Sequence, residues 1–134
     1  MTDNKEIGAF LIVDDSGTAR MIIKQCIEIA GFRNGPFIEA RNGKEAWQIL
    51  QHTSVDMIVT DLNMPELDGR MLLERIKTTP ALSSIPVIVV TSAGNPAREA
   101  ELIGLGATAV IGKPVSPASM YKTLALFNKR EGEK

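Results

Sequence analysis

The sequence predicts an α/β domain in which five short strands alternate with five helices, folded as a single doubly wound (βα)5 parallel sheet. Three observations lead there. The apolar runs are short and rich in β-branched residues. Three of the five are almost continuously apolar instead of alternating, as strands are when both faces of a sheet are covered. A segment of helical period follows each run, which implies parallel pairing through right-handed crossovers.

The first strand is expected within Ile7–Val13. Ser16 is a plausible N-cap for the first helix, whose apolar stripe reads as Met21, Ile22, Gln25, Cys26 and Ile29, with Gly31 stopping it. Pro36–Ala40 is a weaker second strand. Asn42 can cap a second helix through Ala46, Trp47, Ile49 and Leu50. The third strand is Val55–Thr60, and Asp68-Gly69 opens a third helix with Met71, Leu72 and Ile76. Ile85–Val90 is the fourth strand. Pro96 suits the first position of a fourth helix that ends near Gly104. Ala107–Ile111 is the fifth strand. Pro117 opens the last helix, with Met120, Leu124 and Phe127 on its inner face.

A chain of 134 residues, 44% hydrophobic, suits one domain with a substantial core. We expect a single domain over 1–134, its core spanning about 6–128, with charged tails at Met1–Glu6 and Asn128–Lys134 that fray. Fifteen Lys and Arg against sixteen Asp and Glu leave a net charge of -1, which gives no sign of nucleic-acid or membrane-surface binding driven by bulk charge. The single cysteine, Cys26, cannot form an internal disulfide or a zinc cluster. No signal peptide opens the chain and no apolar stretch approaches the ~20 residues of a membrane helix, so a cytoplasmic location is expected.

Ligands on such sheets bind at the carboxyl ends of the strands. Asp14-Asp15 follows the first strand, Asp61 the third, Thr91-Ser92 the fourth and Gly112-Lys113-Pro114 the fifth. Three of the six aspartates therefore converge on one crevice with a hydroxyl and an ammonium. An isolated Asp after a strand is commonly only a helix cap, but four strand ends carrying this chemistry are not explained that way. Two carboxylates ~4 Å apart repel by roughly 4 kcal/mol at an effective dielectric of 20. The cluster must retain a proton or bind a cation. Hard oxygen ligands without His or Cys favour Mg²⁺. A carboxylate can act as nucleophile in phosphoryl transfer, with metal, lysine and hydroxyl stabilising the transferring group.

Asp14-Asp15, Asp61-Leu-Asn-Met-Pro-Glu-Leu-Asp-Gly69, Thr91-Ser92 and Lys113-Pro114, in this order and spacing, resemble the receiver domain of two-component response regulators. The resemblance covers about residues 6 to 128 and is strongest to stand-alone, CheY-like regulators. It implies a flavodoxin-like sheet of strand order 2-1-3-4-5. It further implies that Asp61 is the phosphoacceptor, charged by a sensor histidine kinase or phosphotransfer protein. Asp15 would ligate Mg²⁺ directly, Asp14 mainly through water, and Asn63 through its main-chain carbonyl. Lys113 would pair with the acceptor and then with the phosphoryl group, and Thr91 would move toward a phosphoryl oxygen. The Lys113-Pro114 bond would be cis, and Met64-Pro65 and Gly69 would shape the loop beside the acceptor. Asn63 and Ala93 would edge the site. Such a protein is no enzyme beyond its own phosphorylation and slow dephosphorylation. With no output domain, it would signal as a monomer through protein contact at about residues 96–127.

One position departs from the family pattern. Val110 stands where the family often carries an aromatic switch, three residues before the lysine, and valine has no ring to swing. This leaves open a pseudo-receiver that binds without being phosphorylated. A small Mg-dependent phosphohydrolase is the enzyme-class alternative, although Asp14-Asp-Ser-Gly-Thr18 lacks the second aspartate that such a nucleophile loop needs. A flavodoxin would place a phosphate where Asp14 and Asp15 repel it. Gly104-Leu-Gly-Ala-Thr-Ala109 matches G-x-G-x-x-A, but it ends a helix and enters a strand, so it reads as a C-cap and turn. His52 reads as a solvated helix-end residue, Trp47 and Tyr121 as cover for the sheet edge or core, and Cys26 as a small core residue.

Overall fold

All five apolar runs form strands, and each helical segment forms a helix. The computed structural model describes residues 8–33, 35–92 and 95–133, with side chains to residue 126. The chain runs β1 (Phe10–Val13), α1 (Gly17–Ile29), β2 (Phe37–Ala40), α2 (Gly43–His52), β3 (Met57–Asp61), α3 (Gly69–Lys77), β4 (Val87–Thr91), α4 (Pro96–Gly104), β5 (Ala109–Gly112) and α5 (Pro117–Glu133). The strands pair in parallel in the order β2-β1-β3-β4-β5.

Most strands begin two or three residues inside their apolar run. Ahead of β1, the Asp56 carboxylate accepts from the Gly8 and Ala9 amides, at 3.1 and 2.8 Å, in place of a ladder. Residues then alternate between two layers. Leu11, Val13, Ile58, Val87 and Val89 face α2, α3 and α4 with Ala46, Leu72, Ile76 and Leu102. Phe10, Ile12, Met57, Val59, Ile88 and Val90 face α1 and α5 with Ile23, Ile27, Met120 and Leu124. Burial on both sides explains the unbroken apolar runs.

Side-chain caps start the helices. Ser16 Oγ accepts from Ala19 N (3.2 Å), Asn42 Oδ1 from Glu45 N (2.8 Å), Asp68 Oδ1 from Met71 N (2.9 Å) and Asn95 Oδ1 from Arg98 N (2.7 Å). Ser116 Oγ accepts from Ser119 N (3.0 Å) to open α5. Each such cap contributes about 1 kcal/mol. Gly31, at φ +106°, ends α1, and Gly106, at φ +112°, turns the chain from α4 into β5, so the G-x-G-x-x-A string is a helix stop.

Four expectations are corrected. On α1, Met21, Ile22 and Ile29 are 52%, 42% and 63% exposed, and the buried set is Ile23, Cys26 and Ile27. The helix carries apolar residues on two overlapping stripes of helical period, and packing against α5 and the sheet selects the second. Met71 is exposed while Leu72, Leu73 and Ile76 are buried. Tyr121 is 59% exposed and covers neither core nor sheet edge. α5 runs through Glu133, beyond the frayed start expected at Asn128. Met1–Glu6, Ala93 and the Phe127 side chain lie outside the described residues. Trp47 is half-buried beside the α2–α3 layer, with Arg75 5.2 Å from its ring centroid. Cys26 is buried and His52 exposed at the end of α2, as expected.

Candidate functional site

Strand register brings the chemistry together. Val13 pairs with Thr60, Asp61 with Val90 and Thr91 with Gly112. The carboxyl ends of β1, β3, β4 and β5 therefore finish level, and Asp14, Asp61, Thr91 and Lys113 stand side by side at one edge. One carboxylate oxygen each from Asp14, Asp15 and Asp61 lie within 4.8 Å of one another, a set that could hold a metal ion. Lys113 Nζ is 3.2 Å from Asp61 Oδ1 and 3.4 Å from Asp14 Oδ2.

The aspartates sit in different surroundings. Asp14 is 1% exposed and its Oδ1 accepts from Ser16 N at 2.9 Å, so it is held from both ends of its carboxylate. Asp15 is exposed at the mouth. Asp61 closes β3 and is 6% exposed. Burial, then the charge of Asp14, push its carboxyl above the usual range, and the Lys113 hydrogen bond and charge only partly offset them. Burial pushes the Lys113 ammonium down, but the Asp61 hydrogen bond and the charges of Asp14 and Asp61 outweigh it and hold the group above its ordinary value. Three carboxylates against one ammonium leave excess negative charge facing the crevice mouth, and all the acidic donors are hard oxygens. His52 and Cys26 lie elsewhere, on α2 and the inner face of α1.

Thr91 ends β4 and is 1% exposed, and its carbonyl accepts from Lys113 N at 2.9 Å, tying the lysine to the strand end. The Lys113-Pro114 bond is cis. Asn63 is exposed in the β3–α3 loop. That loop is anchored by buried Leu62, Met64 and Leu67, turns at Glu66 (φ 66°), and returns where Gly69 N donates to Leu62 O at 2.9 Å. A Cβ on Gly69 would meet the Asp61 carbonyl oxygen at 2.2 Å, so only glycine lets α3 start this close to the acidic strand end. Gly43 allows the same close approach of α2 to Leu67.

Every described candidate thus joins one cluster except Asn63, whose place is in the adjoining loop. Two residues of the site's frame were not legible beforehand. Arg20 donates from Nη1 to the Asp14 carbonyl (2.7 Å) and from Nε to Glu39 Oε1 (2.7 Å). The four-residue step from Ser16 to Arg20, one helical turn, was the available signal for the arginine. Nothing in the sequence marked its partner on β2.

Residues 10–125 match the response regulator receiver domain family. The chain is 33% identical over 115 residues to chemotaxis protein CheY1 of Helicobacter pylori, covering 85% of this chain and 91% of that protein. It is 34% identical over the same length to the CheY homolog of Campylobacter jejuni, covering 85% and 87%. Among solved structures, it superposes on chemotaxis response regulator CheY4 of Vibrio cholerae with a TM-score of 0.79 at 28% identity, covering 90% of this chain and 98% of that one. A receiver domain of a signal transduction histidine kinase from Syntrophus aciditrophicus gives a TM-score of 0.74 at 35% identity, covering 95% and 96%. With sequence, topology and strand-end chemistry in agreement, the chain belongs to the response regulator receiver domain family of two-component signalling, in its CheY-like form.

Proposed function

We propose that Asp61 accepts a phosphoryl group from a phosphohistidine on a sensor kinase or phosphotransfer protein, with Mg²⁺ held by the acidic cluster. The observation that carries this reading is the in-register meeting of Asp61 with Lys113 at 3.2 Å and with two further carboxylates within 4.8 Å. An Asp61 oxygen attacks phosphorus in line with the donor nitrogen. The P–N bond breaks as the P–O bond forms, and the imidazole leaves. Asp15 would ligate the metal directly and Asp14 mainly through water, with Asp61 and the Asn63 carbonyl completing the protein's share. Bound Mg²⁺ supplies charge neutralisation for three acids and the incoming phosphoryl oxygens. Lys113, free to swing on its four-carbon stem, follows the negative charge from the Asp61 carboxylate to the phosphoryl group. Thr91, one residue past the Val90 that pairs with Asp61 on the neighbouring strand, donates its hydroxyl to a phosphoryl oxygen.

The chain then acts on a protein target and turns over no external substrate beyond its own acyl phosphate. Its output face is about residues 96–127, where Ile103, Tyr121 and Leu126 are exposed apolar side chains on α4 and α5. Val110 packs at the edge of the α2–α4 layer, which bears on how Thr91 reaches that face and not on the transfer. Among the described residues no helix is long and apolar enough to cross a membrane, and we place the protein in the cytoplasm as a monomer.

Intact-protein mass spectrometry after treatment with acetyl phosphate and Mg²⁺ tests the reading. A single phosphoryl adduct is expected, lost with excess EDTA and in Asp61→Asn. No adduct, with beryllofluoride leaving the amide spectrum unchanged, overturns it in favour of a non-phosphorylated binding module. Phosphate release over many turnovers would instead make the chain a phosphohydrolase.

A further inference from the structure

The β1–α1 turn carries two of the three acids, yet they are held very differently. Asp14 is fixed at four points, one of them the Lys113 ammonium at its Oδ2. Its amide donates to Ala40 O at 3.1 Å, its Oδ1 accepts from Ser16 N, and its carbonyl accepts from Arg20 Nη1 at 2.7 Å. Asp15 is exposed and stands at the crevice mouth. Its direction is inherited from the Asp14–Asp15 peptide, which is planar, so fixing the Asp14 carbonyl fixes the plane from which the Asp15 Cα departs. Arg20 is the group that fixes it.

We infer that Arg20, braced by Glu39, is a positioning residue that aims Asp15 at the cation shared with Asp14 and Asp61. The guanidinium is a rigid planar fork. Nη1 engages the Asp14 carbonyl while Nε engages Glu39 on the edge strand β2, so the fork ties the acidic turn to the sheet. It packs beneath the first turn of α1, where a Cβ on Gly17 would lie only 3.5 Å from Nη2, and it is 15% exposed. A bare cation here would repel a metal ion. Glu39 neutralises it, so Arg20 delivers a hydrogen bond without adding net charge. The Arg20–Glu39 pair is half open to water on the glutamate side, where such pairs contribute little to stability. Its value lies in placement.

The inference rests on the proposed metal-assisted reading, and calorimetric titration of the full chain with Mg²⁺ separates the two. Groups that orient ligands from behind typically change metal affinity 10–100-fold when removed. Arg20→Gln is expected to raise the Mg²⁺ Kd about tenfold while circular dichroism and the metal-free melting temperature stay near wild type. Arg20→Lys, a single point donor that cannot span both anchors, does not restore affinity. Glu39→Gln keeps the acceptor oxygen but leaves the guanidinium charge uncompensated, so it weakens Mg²⁺ binding less than Arg20→Gln does, and added salt shrinks that loss. A wild type that binds no Mg²⁺ overturns the metal reading and this inference with it. A wild type that binds, beside a folded Arg20→Gln within twofold of it, overturns the positioning role alone. If Arg20→Gln does not fold, Arg20→Lys decides by the same criterion.

Discussion

Replacing Asp61 by asparagine should stabilise the metal-free protein at neutral pH. At the 4.8 Å that bounds each pair in the cluster, one neighbouring carboxylate opposes ionised Asp61 by roughly 3.5 kcal/mol at an effective dielectric of 20, and two oppose it by about 7. Lys113 at 3.2 Å returns about 5 kcal/mol on the same scale. Asp15 is exposed and Lys113 31% exposed, so water screens both, and the net penalty comes to about 1–2 kcal/mol. Burial of the ionised acid adds in the same direction. In the variant Lys113 keeps Asp14 at 3.4 Å as a partner. For a chain of 134 residues, 1–2 kcal/mol corresponds to a rise in melting temperature of about 4–7 °C. The pH dependence follows from the raised Asp61 carboxyl. The folded state keeps this proton to higher pH than the unfolded chain does. Wild-type stability therefore falls as pH climbs from the ordinary carboxylate range through the raised value, and the loss is complete above it. Asp61→Asn lacks that slope, so the two proteins converge in acid and separate near neutrality. Scanning calorimetry in EDTA from acid to neutral pH, repeated with Mg²⁺, reads both effects. Mg²⁺ should narrow the gap, because mass action favours the protein that binds it more tightly. An Asp61→Asn protein less stable than wild type at neutral pH in EDTA would refute the charge-crowded pocket.

Two further substitutions probe the same edge. Lys113→Ala should bind Mg²⁺ at least as tightly as wild type, since a cation facing the metal has been removed, yet fail to pass on the signal; calorimetric titration with loss of binding would show that Lys113 organises the acids. Gly69→Ala should cost about 1–3 kcal/mol in urea unfolding and slow phosphorylation, because its Cβ would meet the Asp61 carbonyl at 2.2 Å. Gly104→Ala, with nothing within 4 Å of its Cβ, is the neutral control.

Much of this protein is legible along the chain, because the signals are local. Unbroken β-branched runs announce strands covered on both faces. Ser16, Asn42 and Asp68 announce helix starts, since each side chain accepts from an amide three residues on, and Pro96 announces a fourth. Asp14, Asp15, Asp61, Thr91 and Lys113 are readable as a site because each lies at a strand's carboxyl end, and in a parallel sheet those ends share an edge. The tertiary structure decided what neighbours in sequence do not encode. Whether Ile22 or Ile23 is buried on α1 depended on where α5 and the sheet lie, as two stripes had the same period. Tyr121 is exposed although its aromatic ring suggested cover, because the inner face of α5 is filled by Met120 and Leu124. The Arg20–Glu39 brace joins residues nineteen apart, and it needs both the β1–β2 pairing that sets Glu39 beside Ile12 and the packing of α1 over that edge. Residue type and spacing therefore determined the elements and the acid set. Which face turns inward, and which side chain holds the acids in place, was settled by packing between distant segments, where short-range periodicity carries no information.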